Sequence, residues 1–143
     1  MAGSQFATPK PVSPSRPVRR FSLAEAIKSL PLVRRVVSDI VRKHAEVAKL
    51  QSTMAQLGAK DQPAAQHQVD QAMDQLKSYV SELRGIGCDL KDYQTGLVDF
   101  IGRHQGHDVC LCWKLGEETI GYWHEKHAGF AGRQPVSTLR ETA

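Results

Sequence analysis

The chain has 143 residues, 41% of them hydrophobic, and a formal net charge of +4. That is the length of one domain, with no apolar run near the roughly 20 residues of a membrane-spanning helix and no apolar segment behind a basic start to serve as a secretory signal. Residues 1–20 hold four of the 19 basic residues (Lys10, Arg16, Arg19 and Arg20) and no acid, so the remaining 15 basic residues balance 15 acidic ones; this argues against the basic face of a nucleic-acid-binding domain.

In chain order, "MAGSQFATPKPVSPSRPVRR" carries four of the seven prolines. Proline lacks a backbone donor and fixes φ, so residues 1–20 read as a disordered basic tail. The tail is rich in Arg and Ser but has no apolar face, which sets a transit peptide aside. Structure is predicted to begin at "FSLAEAIKSLPLVRR". Ser22 followed by Glu25 has the form of a capping box, and a short helix is expected to about Ser29. Pro31 then opens a new helix or kinks a continuous one.

From Val33 the apolar residues Val36, Ile40, Val47, Leu50, Met54 and Leu57 follow in helical steps. This predicts a long amphipathic helix, with Gly58 in a left-handed cap and Pro63 opening the next helix. Val69, Ala72, Leu76, Tyr79 and Leu83 repeat the pattern until "RGIG". The two helices should form an antiparallel hairpin. Each apolar stripe is narrow and its spacing resembles a coiled coil. Packing on the C-terminal element, on a second subunit, or on both would cover what the hairpin leaves wet, and a homodimer through the hairpin is expected.

Beyond Gly87 the period becomes two. "GLVDFIG", "DVCLCWKL" and "TIGYWHE" predict a three-stranded antiparallel meander. In the middle strand Val109, Leu111, Trp113 and Leu115 share the face that covers the helices, and Asp108, Cys110, Cys112 and Lys114 share the other. Residues 137–143 should fray. The expected architecture is therefore α+β: a single domain over 21–136, helical over 22–86 and β over 88–136. The three cysteines, Cys88, Cys110 and Cys112, are an odd number without an export signal. Free thiols in a reducing cytoplasm are expected.

"FSLAEA" with "LPLVRR", "GLVDF", "LCWKLGE", "WHE" and "GFAGRQP" follow one another in an order that resembles an uncharacterised bacterial and archaeal family, domain of unknown function 2203. The likeness covers about residues 21–136. It implies a long-helix-plus-small-sheet domain and no established activity. Asp99, Cys112, Trp113, His124, Glu125 and Arg133 match the family's pattern. Ile101 stands where the family usually has proline and His127 where it usually has an acid, while His104 and His107 fall in a variable turn.

Three kinds of chemistry compete for the C-terminal third. Histidines at 104, 107, 124 and 127 flank Cys110 and Cys112, and imidazole with thiolate is the donor set zinc prefers. The predicted metal ligands are Cys110, Cys112, His124 and His127. Against them, a Cys-x-Cys on a regular strand spaces its sulfurs about 7 Å apart. A second set (Asp99, Trp113, His124, Glu125, Gly129, Gly132 and Arg133) reads as a ligand-binding or structural cluster, with Arg133 expected to pair with Glu125 or Asp99 and pin the C-terminal loop. "GFAGR" offers turning backbone N–H groups and a charge for an anion. An enzyme built on Asp99, His124, Glu125 and Arg133 lacks a nucleophile spaced to work with His124, and on a strand His124 and Glu125 point to opposite faces. No catalytic residue is assigned and no cofactor is expected beyond a divalent metal such as zinc. The leading expectation is a small non-enzymatic structural or interaction module, with a ligand or partner surface at the C-terminal sheet. A metal-binding protein is the alternative.

Overall fold

The structure, a computed structural model, describes residues 18–141; of the tail expected over residues 1–20, residues 1–17 lie outside it. Two helices, α1 (Leu23–Met54) and α2 (Gln62–Ile86), precede five strands: β1 (Cys88–Asp92), β2 (Leu97–His104), β3 (His107–Lys114), β4 (Tyr122–Glu125) and β5 (Gln134–Pro135). The strands form one antiparallel sheet in sequence order. The class is α+β, as the change of period indicates, but the sheet has five strands rather than three.

The capping box at the start of α1 is complete. The Glu25 N–H donates to Ser22 Oγ at 3.0 Å, and the Ser22 N–H donates to Glu25 Oε1 at 2.9 Å. No separate short helix follows, because α1 runs unbroken through Pro31. Pro31 is exposed, and so is Ile27, whose carbonyl it leaves without the usual helical donor. A proline inside a helix costs about 3 kcal/mol. Burial of Ala26 and Leu30 before it, and of Val33, Val36 and Val37 after it, opposes that cost on both sides.

The hairpin turn also differs from expectation. α1 stops at Met54, before Gly58, which does not adopt a positive φ. The Gln62 amide instead donates to the carbonyls of Met54 and Leu57 at 2.8 and 2.9 Å. Pro63 lies in the first turn of α2, and Gly87 ends that helix at φ 115° with its N–H on the Leu83 carbonyl.

One face of the sheet covers the hairpin. Val98 and Phe100 of β2, Val109, Leu111 and Trp113 of β3, and Trp123 of β4 join Val33, Val37, Ile40, Val80 and Leu83 in one core. At the β1–β2 turn Gly96 has φ 74°, and a Cβ there would stand 2.8 Å from Val37 Cγ1; only glycine lets this turn lie against α1. Val47, Val69 and Ala72 are buried outside that core. They form the seam of a two-helix arm that continues past the sheet.

The C-terminus expected to fray is packed through Glu141. The Trp123 indole donates to Thr138 Oγ1 at 2.9 Å, Leu139 is buried, and the Leu23 N–H donates to Glu141 at 2.8 Å. An indole N–H enclosed in a core needs an acceptor, and Thr138 supplies it. Among the described residues no helix is long and apolar enough to cross a membrane.

Candidate functional site

Strand register builds the site. Asp99 stands opposite Cys112, and Cys110 stands opposite His124. Alternation turns Asp99, Cys110, Cys112 and His124 to the face away from the helices. That face is also closed: Asp99 is 4% exposed, His124 3% and Cys112 0%. One donor atom from each of Asp99, Cys112 and His124 lies within 4.8 Å of the other two. Of the set predicted for a metal, Cys112 and His124 therefore meet. Cys110 is buried on the same face but outside this trio, and His127 is exposed. Asp99 takes the place expected of them.

His124 bridges two partners. Its Nδ1 lies 2.8 Å from the Glu125 carbonyl and its Nε2 lies 3.2 Å from Asp99 Oδ1. A carbonyl only accepts, so Nδ1 carries a hydrogen. The Nε2···Oδ1 contact then contains one proton, since without it a lone pair would face a carboxylate in a site closed to water. Burial pushes the Cys112 thiol up to about 11, with the Arg133 contact drawing it back and Asp99 adding to the rise. Burial likewise pushes Cys110 up to about 12. Both thiols are protonated at neutral pH.

Arg133 covers the cluster, and its partner is Glu117 rather than Glu125 or Asp99. The guanidinium donates twice to Glu117 at 2.8 Å, reaches Cys112 Sγ through Nε at 3.4 Å, and lies between the rings of Tyr122 and Phe130 at 4.4 and 4.5 Å. Glu117 holds the Arg133 pKa up, and Arg133 holds the Glu117 carboxyl below the usual carboxylate range. With both ends of the guanidinium occupied, "GFAGR" has no free cation for an anion. Gly129 has φ 65°, and a Cβ at Gly132 would stand 2.5 Å from that of Ala128; both glycines serve the tight turn that delivers Arg133.

The match of residues 19–136 to the family described as uncharacterized conserved protein (DUF2203) spans the sheet, the cluster and the hairpin together. The chain belongs to DUF2203. No curated protein and no solved structure matches it.

The other candidate residues of this DUF2203 domain lie apart from the cluster. Trp113 is in the helix-facing core, its indole donating to the Glu117 carbonyl at 2.9 Å. Glu125 pairs with His107 at 2.9 Å, and His104 stacks on Trp123 at 4.4 Å while accepting the Arg140 N–H. Glu117 was missed because a hairpin-turn acid has no distinguishing pattern. A histidine acting as general acid or base needs a ring nitrogen within reach of substrate. His124 has both nitrogens engaged and is 97% covered, so Asp99, His124, Glu125 and Arg133 do not converge on an open pocket.

A surface concavity does occur at the junction of the hairpin and the sheet. It has a volume of about 440 Å³ and is lined by His44, Met73, Leu76, Lys77, Val80, Ser81, Arg84 and Tyr93. Its floor is apolar, its rim carries Lys77 and Arg84, and no acid lines it.

Proposed function

We propose that this chain is a non-enzymatic interaction module that self-associates through the hairpin, with the junction groove at the centre of the contact. The observation that carries the reading is the groove itself, in which half-buried Met73 and exposed Tyr93 lie beside buried Leu76 and Val80, flanked by Lys77 and Arg84. Among the described residues the exposed large apolar side chains are Val18, Ile27, Leu32, Tyr93, Tyr122 and Phe130. The outer surface of the distal arm therefore has none, and of these six side chains Tyr93 lines the junction groove.

Helical spacing places Asp70, Met73, Lys77, Ser81 and Arg84 along one side of α2. A two-fold axis beside Lys77 sets Asp70 of each copy against Arg84 of the other and Met73 against Ser81, as an isologous interface requires. The three buried free cysteines suit a reducing cytoplasm.

Sedimentation equilibrium over a range of concentrations tests the reading. The wild type should fit a monomer–dimer equilibrium. D70R and R84D should each weaken it, and the double exchange D70R/R84D should restore it. A wild type that stays monomeric, or a double exchange no better than either single change, refutes the arrangement.

A further inference from the structure

We propose that Asp99, Cys112 and His124 form a site for one divalent metal ion of the zinc class. This inference stands apart from self-association, because no residue of the cluster belongs to the hairpin.

Imidazole, thiolate and carboxylate are all zinc ligands, and three protein donors leave a fourth position to water. Bond lengths of about 2.0–2.1 Å in a tetrahedral ion put its nitrogen and oxygen ligands roughly 3.3 Å apart. His124 Nε2 and Asp99 Oδ1 are already 3.2 Å apart, and the Cys112 sulfur lies within 4.8 Å of both. Small side-chain rotations close the set. The surroundings are those a metal-bound histidine needs. Its other ring nitrogen should donate to a carbonyl or carboxylate, fixing the tautomer, and Nδ1 meets the Glu125 carbonyl at 2.8 Å. Arg133 Nε points at the sulfur from 3.4 Å, ready to donate to a thiolate.

The charges balance in both states. Without metal, the thiol is neutral, the Asp99–His124 pair holds one proton, and Arg133 is offset by Glu117. Binding M²⁺ releases two protons, one from sulfur and one from the pair, and forms bonds from sulfur, oxygen and nitrogen to the ion. Thiolate and carboxylate then neutralise the ion, so the buried site stays without net charge. The site differs from the expected set of Cys110, Cys112, His124 and His127, and that difference supplies the test.

Full-length protein, stripped of metal with a chelator, is refolded with Co²⁺ because the cluster is sealed. The expected result is one equivalent bound, with thiolate-to-cobalt charge-transfer absorption that Zn²⁺ abolishes. C112S should remove that absorption and C110S should retain it. H124A and D99A should weaken binding by more than the roughly 10–100-fold that a lost outer partner costs. Absence of the charge-transfer band in the wild type, its survival in C112S, or its loss in C110S would overturn the proposal. Should C112S fail to fold, thermal unfolding decides: zinc should raise the Tm of the wild type and not of H124Q, and an equal rise in both defeats the site.

Discussion

Removing the Asp99 carboxylate isolates one interaction on which the site depends. In metal-free protein, D99A leaves His124 Nε2 without a partner in a position where both residues are at most 4% exposed. An unsatisfied buried polar group costs about 1–3 kcal/mol, and this one is closed off from compensating water, so about 2–3 kcal/mol is expected. For a domain of this size each kcal/mol shifts Tm by roughly 3–5 °C; D99A should therefore melt about 6–15 °C below the wild type. D99N is the control. Its amide is nearly isosteric and can donate to Nε2 while Nδ1 keeps the Glu125 carbonyl, so its loss should stay below about 1 kcal/mol. Differential scanning calorimetry with chelator present measures both. If D99A melts within about 2 °C of the wild type, or D99N falls as far as D99A, the 3.2 Å contact does not carry the role assigned to it.

Two further outcomes follow from the packing on the two faces of the sheet. Cys88, Cys110 and Cys112 are buried, and burial pushes them up to about 12, 12 and 11. A disulfide reagent at pH 8 should therefore find no fast-reacting thiol in the metal-free native protein and three after denaturation; rapid labelling of the native chain contradicts the packing. The Arg133 pair holds Glu117 below its ordinary 4.5. Its contribution is thus present above pH 4.5 and is lost as pH falls through the lower folded value. E117Q should lose up to about 1 kcal/mol at pH 7, the partly exposed setting limiting the effect, and the two stability curves should converge in acid. Curves that stay parallel across that range would remove Glu117 as the partner that matters.

Some of this was legible in the sequence for clear physical reasons. Ser22 and Glu25 form a local motif that needs no tertiary contact, and the alternation of "DVCLCWKL" sorts Val109, Leu111 and Trp113 from Cys110 and Cys112. Features that depend on distant partners were not legible. Pro31 signals a helix start, yet the helix continues because Ala26 and Leu30 before it and Val33, Val36 and Val37 after it are buried in one core. β1 is five residues with one buried side chain, and β5 is two exposed residues, so neither has a pattern to detect. Leu139 looks like part of a polar tail until Trp123 and Thr138 are brought together. In the site, alternation puts both Cys110 and Cys112 on the right face. Only register shows that Asp99 meets Cys112 and that His124 reaches it across β3.

The account turns on the closed contact in which His124 holds a hydrogen on Nδ1 for the Glu125 carbonyl and turns Nε2 to Asp99. Long-range ¹H–¹⁵N correlation spectra of the histidine rings, with H124Q to assign the signals, measure it directly. A slowly exchanging proton on His124 Nδ1 is the result expected. A ring protonated on Nε2 alone, or one exchanging as freely as exposed His127, would contradict the account.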